Sequence, residues 1–401
     1  MIRTIQIISL TSAFFVSVAQ HGQAQITKTM IRLPDTGQTQ SFTETPGEDA
    51  DYTIHPPFFV VNGDGTATDT VTGLMWQQTD GGEMTFESAV AYCQNLQLGG
   101  FDDWRLPTAQ EAFSMLHHGV QNPPLNTTVF PVSQAEYWWT GEYQAGSTSK
   151  IWVTNAGGGI GNHPKTETLS AGGNKRFHVR AVRDIFTPVQ VTQQFDIQDS
   201  TVVDKLTGLE WQRFPSPDSM NWENALHRAE MFVLTNQSDW RLPNVKELES
   251  LNDETRTHPS IHLDAFPEIG SGKYWKSTSL PNQPTQAWFM DTNFGVVSHE
   301  LKTLQNHLLL VRGPLENTTH TTTTATMSFN VFPNPFYNQI HVENLEKGSE
   351  EQVEAALSDC LGNLVFFGKN IENQDFTHLL PGLYFLQIKT SHAPILRLIK
   401  L

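Results

Sequence analysis

The chain has 401 residues and a formal net charge of −17 at pH 7. That length accommodates roughly two to four domains. The acidic balance argues against nucleic acid and polyanionic surfaces as partners, and no segment beyond the N-terminal stretch is long and apolar enough to span a membrane. Cys93 and Cys360 lie in different segments and are not expected to bridge, so stability must come from packing, to which the ten tryptophans contribute.

Taken in chain order, residues 1–24 read as a secretory signal. Arg3 supplies a positive start, Ile5 to Val18 an apolar stretch, and Gly22-Gln23-Ala24 a small-residue cleavage site. Residues 25–55 are polar with little periodicity and are expected to form a flexible leader. Asn62-Gly63-Asp64-Gly65-Thr66-Ala67-Thr68-Asp69 has oxygen side chains around glycines, as a calcium loop does. It lacks the full pattern and its closing Glu, so a hairpin turn is the better reading and no cofactor is expected. Thr85 can cap a helix whose apolar positions are Phe86, Ala89, Val90, Cys93 and Leu96. After Trp104-Arg105-Leu106-Pro107, the spacing Thr108-x-x-Glu111 predicts a capping box and a second helix. Aromatic strands follow at Tyr137-Trp138-Trp139 and around Trp152, separated by glycine-rich loops, and Val182-Arg183 closes the segment.

The whole series then returns. Trp240-Arg241-Leu242-Pro243-Asn244 repeats the Trp104 phrase about 136 residues on, with Glu247 in the place of Glu111. Asp69 to Gln77 returns as Asp204 to Gln212, Phe86 to Val90 as Trp222 to Leu226, and Ile151-Trp152-Val153 as Ala287-Trp288-Phe289. Tyr137-Trp138-Trp139-Thr140 returns as Tyr274-Trp275-Lys276-Ser277. Two tandem domains of one fold are expected, 56–185 and 186–314, each packed as its own module. A Thr-rich linker over 315–326 leads to a tail, 327–401, whose short alternating strands predict a small all-β sandwich packing against neither repeat extensively. Two helices followed by twisted strands in each repeat give an α+β class.

The ordered motifs Thr-Gly-Leu-x-Trp-Gln, Asp-Trp-Arg-Leu-Pro-x-x-x-Glu, Tyr-Trp and Val-Arg resemble the Lcl C-terminal domain family, named for the Legionella collagen-like adhesin. The Arg-Leu-Pro piece is also similar to the formylglycine-generating-enzyme fold, a relative of C-type lectins. The resemblance implies two tandem C-type-lectin-like domains that bind carbohydrate or a host-cell surface. The redox cysteines of the enzymatic relative are missing from the closing strands, 177–183 and 307–312. The tail resembles the C-terminal sorting domain of type IX secretion cargo through Pro333-Asn334-Pro335, Gly362, Gly382 and Tyr384. This implies the type IX machinery as a partner, a Bacteroidota-like Gram-negative source, and delivery to the cell surface or the medium.

Arg105 and Glu111, with Arg241 and Glu247, are expected to be structural: the glutamates cap helices and the arginines pair with carboxylates or carbonyls. Trp104 and Trp240 are assigned to the core. One of Trp138 and Trp139 is expected to face outward or lie under a loop, because strand neighbours point to opposite faces. Carbohydrate contact is therefore placed at Trp139, Glu142 and Trp152 in repeat one and at Trp275, Lys276 and Trp288 in repeat two. No nucleophile elbow, metal-ligand spacing or carboxylate pair suggests catalysis. The expected function is a secreted or surface-exposed, adhesin-like binding protein without enzymatic activity. Its rivals are a structural surface protein that binds nothing and a glycan-active enzyme.

Overall fold

The computed structural model describes residues 26–170, 172–173, 175–314, 329–333, 336–344, 354–359, 364–380, 382–388 and 395–400. The expected signal segment and Thr-rich linker, with Asn334, Pro335 and Gly362, lie outside these residues. The described chain is mostly β, and its four α-helices are short. The helical half of the α+β expectation is therefore the weaker half.

In repeat one, helix α1 (Phe86–Asn95) starts at Thr85, whose hydroxyl accepts from Ser88 N. It buries Phe86, Ala89 and Cys93, the residues at helical spacing. Helix α2 (Ala109–Ser114) starts at a capping box formed by Thr108 and Glu111. Strands β1 (Tyr137–Tyr143), β2 (Lys150–Thr154), β3 (Ile160–Pro164) and β4 (Phe177–His178) follow. Repeat two repeats this order with α3 (Trp222–Glu230), α4 (Val245–Glu249), β5 (Lys273–Ser279), β6 (Gln286–Asp291) and β7 (Val296–Leu301). In each repeat a small four-stranded sheet ties the ends together. The closing strands Val182–Asp184 and Val311–Arg312 pair with Leu74–Gln77 and Glu210–Gln212 respectively.

The repeats are not separate modules. One seven-stranded sheet runs through both in the order β5-β6-β7-β3-β2-β1-β4. The join is an antiparallel pairing of Ile160 with Val297. These two residues are structural equivalents: Ile160 pairs with Thr154 and Val297 with Met290, at matching places on β2 and β6. A pair of equivalent residues facing each other across antiparallel strands defines a quasi-twofold axis normal to the sheet. The helices obey it. Gln110 on α2 donates to Ser250 O and Asn252 O of repeat two, while its equivalent Lys246 on α4 donates to Ser114 O of repeat one at 2.7 Å. Trp152 and Trp288 share one apolar core with Phe113, Ile160, Val245 and Val297. Gly159 permits the join: a Cβ there would stand 2.5 Å from Val297 O.

The expected flexible leader is an ordered strap. Ile26–Lys28 pairs with Val189–Val191. Beyond it Asp35, Thr36, Gln38, Glu48 and Asp49 are buried. Polar composition predicts disorder only when the polar groups find no fixed partners, and here they find them more than 200 residues away, at Thr278 and Ser279. The tail packs the hairpin of Phe329–Phe332 and His341–Asn344 with a four-stranded sheet, around a core built from its own Phe336, Ile340, Leu357, Leu386 and Leu398.

Candidate functional site

The Arg-Leu-Pro phrase builds the same corner twice. Arg105 donates to both oxygens of Glu111 at 2.7 and 2.8 Å and to Asp184 at 2.9 Å. Arg241 donates to both oxygens of Glu247 at 2.6 Å and to Gly313 O. Each glutamate also accepts the backbone N–H of its helix cap, Thr108 or Asn244. Such forked pairs fix a direction as well as a distance. Trp104 and Trp240 donate their indole N–H groups to nearby carbonyls and are buried. All six are thus engaged with other groups of the same chain.

The residues expected to touch carbohydrate are buried or already engaged. Trp139 and Trp138 are both inside. Trp139 stacks on Phe177 at 4.8 Å and donates to Met84 O, while Trp138 faces the α2 side of the sheet. Trp275 donates to Met220 O, and Trp152 and Trp288 fill the seam between the repeats. None of these five indoles offers a face to a ligand. Both faces of the sheet are covered, by α1 on one side and α2 on the other, so alternation along β1 does not imply exposure.

Lys276 is fully buried. Its ammonium donates to Val245 O at 3.1 Å and lies 3.8 Å from Glu249. Burial pulls the Lys276 amine down to about 7 and pushes the Glu249 carboxyl up to about 8, each opposed by the other's charge.

Strand register also differs from the reading by eye. Trp139 and Trp275 are equivalents: each donates to a methionine carbonyl, and they pair with Val153 and Phe289 respectively. Tyr274 therefore matches Trp138, Lys276 matches Thr140, and Thr278 matches Glu142. The adjacent aromatics hide a one-residue slip, and in a strand such a slip exchanges the two faces.

With the register set, one surface distinguishes the repeats. In repeat one, Gly141 is exposed and Tyr143 is 42% exposed, while their equivalents Ser277 and Ser279 are buried. Phe86 backs the Tyr143 ring edge-on at 5.6 Å, and Lys165, paired with Glu87 at 2.9 Å, sits 5.9 Å from its centroid. Glu142 lies between them in sequence and accepts from Ala109 N at 2.6 Å; burial, opposed by that bond, raises its carboxyl above the usual range. In repeat two the strap covers the same place. Thr278 accepts from Val245 N at 2.9 Å and donates to Asp49 at 2.6 Å, and Ser279 donates to Glu48. Sequence reading found Glu142 but missed Tyr143, whose exposure depends on the strap being absent from that side.

The Asn62–Asp69 segment is a hairpin turn. Gly63 and Gly65 take φ of 80° and 87°, and Asp64 accepts from the Thr66 N–H and hydroxyl. Cys93 is buried in the α1 core, and burial pushes its thiol up to about 12. Buried His118 packs its ring against Phe113 and Trp288 and bonds Gly158 O through Nε2; burial holds its pKa well below the usual value.

Comparison with known families follows this geometry. The Lcl C-terminal domain model matches twice, over residues 65–183 and 200–312, which is more than half of the chain. The chain belongs to the Lcl C-terminal domain family. A secretion system C-terminal sorting domain matches residues 330–399. The protein thus carries two Lcl C-terminal domains followed by a type IX sorting domain, which indicates export to the cell surface or the medium, as in Bacteroidota. No curated protein matches the chain. Among the described residues, no helix is long and apolar enough to cross a membrane. Of the sorting residues, Pro333 is exposed, Gly382 opens the Gly382–Ile388 strand, and Tyr384 is buried with its hydroxyl donating to Leu380 O.

Proposed function

We propose that this is an exported, adhesin-like protein that binds carbohydrate without catalysis, and that repeat one holds the contact. The sorting domain and the family membership support the export and adhesin-like parts. The observation that carries the placement is the open end of β1, where an exposed Tyr143 ring, backed by Phe86, stands near the Lys165–Glu87 ion pair. A sugar needs an aromatic face for its C–H groups and polar atoms for its hydroxyls, and this corner offers both. The C-type-lectin-like relationship belongs to the same reading.

The test is a glycan array on the full chain, followed by titration of any hit. Tyr143→Ala should weaken binding by about 1–3 kcal/mol, roughly tenfold to a hundredfold, with the fold intact. A hit that Tyr143→Ala leaves unchanged removes the site. An array without hits favours the structural reading of both repeats.

A further inference from the structure

Residues 36–52 of the strap are held by recognition-type contacts, most of them on repeat two; Thr36 O also accepts from His118 N of repeat one at 2.8 Å. The Gln38 amide donates to Ser279 O at 2.9 Å and accepts from Ser279 N at 3.2 Å, as the backbone of a neighbouring strand would. Glu48 accepts from the Ser279 hydroxyl, and Asp49 from the Thr278 and Thr36 hydroxyls at 2.6 and 2.8 Å. The strap side chains buried in this stretch, Thr36, Gln38, Glu48 and Asp49, are all polar. Among the described residues, none of 36–52 joins a hydrophobic core. A segment that belongs to a core is held by apolar burial; this one is held as a ligand is, by side chains that converge on it.

Charge fits the same picture at Glu48, whose carboxylate attracts Lys302 of repeat two. The equivalent surface of repeat one has no strap, and Glu142 there would repel an acidic segment.

We propose that repeat two carries a groove for an extended acidic peptide, lined by Thr278 and Ser279, and that the strap fills it in cis. The groove is then closed in the protein as folded, and a partner that presents such a peptide gains entry when the strap lifts. Asp49 supports this secondarily. Its Oδ1 is buried without a partner, and burial and the nearby Asp35 raise its carboxyl to about 8 against the Thr278 and Thr36 bonds. A segment with one side chain so poorly satisfied can leave at lower cost than a core element.

The experiment has two arms. Native-state hydrogen exchange on the intact chain reads whether the strap opens by itself. The amides of 36–52 should exchange through an opening that leaves Lys273–Ser279 and Gln286–Asp291 protected; exchange of all three only on global unfolding overturns the proposal. In the second arm a protease site is placed between Pro56 and Pro57, the chain is nicked, and a fluorescein-labelled peptide of residues 36–52 is added. The nicked chain should take up the peptide, and the double substitution Thr278→Val with Ser279→Ala should reduce uptake about tenfold or more while β6 protection is unchanged. No uptake, or equal uptake by the substituted chain, refutes the groove.

Discussion

Repeat one and repeat two have the same helices, the same strand order and the same Arg-Glu corner, yet they treat water differently at that corner. The Arg105 side chain is 33% exposed and the Arg241 side chain 5% exposed. At the C-terminal end of β1, repeat one shows Gly141 and Tyr143 to solvent, whereas at the same end of β5 repeat two buries Ser277, Thr278 and Ser279 under the strap. The difference teaches that duplication copied a scaffold and that a short segment outside it decided which copy stays accessible. It also changes which side chains are critical, because a polar group that water can reach tolerates the loss of its partner and one sealed from water does not.

The sharpest way to break this comparison is to remove the same arginine from both corners. Arg241→Ala removes a guanidinium sealed from water and orphans the buried Glu247, and should cost about 3–5 kcal/mol; Arg105→Ala also orphans a buried glutamate, Glu111, but water can enter the space left by the one-third-exposed Arg105, so it should cost less, about 2–3 kcal/mol. Urea denaturation of both variants measures the two losses, and equal losses would mean that the strap does not control solvent access. Gly159→Ala tests the join: the new methyl meets Val297 O, and overpacking should cost about 1–3 kcal/mol. Hydrogen exchange should show the loss concentrated at Ile160 and Val297.

The strap should respond to pH through Asp49. Its folded pKa lies above the unfolded carboxyl value, so the folded state holds the proton more tightly. Its stabilising contribution is complete below about pH 4 and declines as the pH rises toward about 8. Exchange protection of 36–52, corrected for intrinsic rates, should therefore fall between pH 5 and pH 8, and Asp49→Asn should flatten that fall. A strap whose protection is flat up to about pH 8 and rises above it would assign the titration to Lys246, which burial lowers to about 8. The smallest effect is expected at Cys93, where repeat two already has Ala229 in the matching place. Cys93→Ala should cost about 1 kcal/mol by thermal melting.

Much of the scaffold was legible because it rests on local rules. The capping boxes at Thr108 and Asn244, the α1 stripe through Phe86, Ala89 and Cys93, and the forked arginines follow from spacing and chemistry near in sequence. The site was not legible, for three physical reasons. Alternation along β1 identifies opposite faces but not whether each is covered, and here α1 and α2 cover both. Two adjacent tryptophans on β1 against one on β5 leave the register ambiguous by one residue, which the Met84 and Met220 hydrogen bonds and the strand pairing resolve. The strap is polar, and its partners Thr278 and Ser279 are so distant in sequence that no window joins them.

The Ile160–Val297 join has a consequence for how any ligand would be read. Two surfaces related by a half-turn about the sheet normal present their features in opposite order along any line drawn through both. A polymer with a direction, whether a peptide running from N to C or a glycan running toward its reducing end, meets the second surface backwards. Crossing from one to the other in the same orientation would require it to fold back on itself. Were both surfaces to be open, this arrangement would suit separate strands or separate partners better than a single unbranched chain.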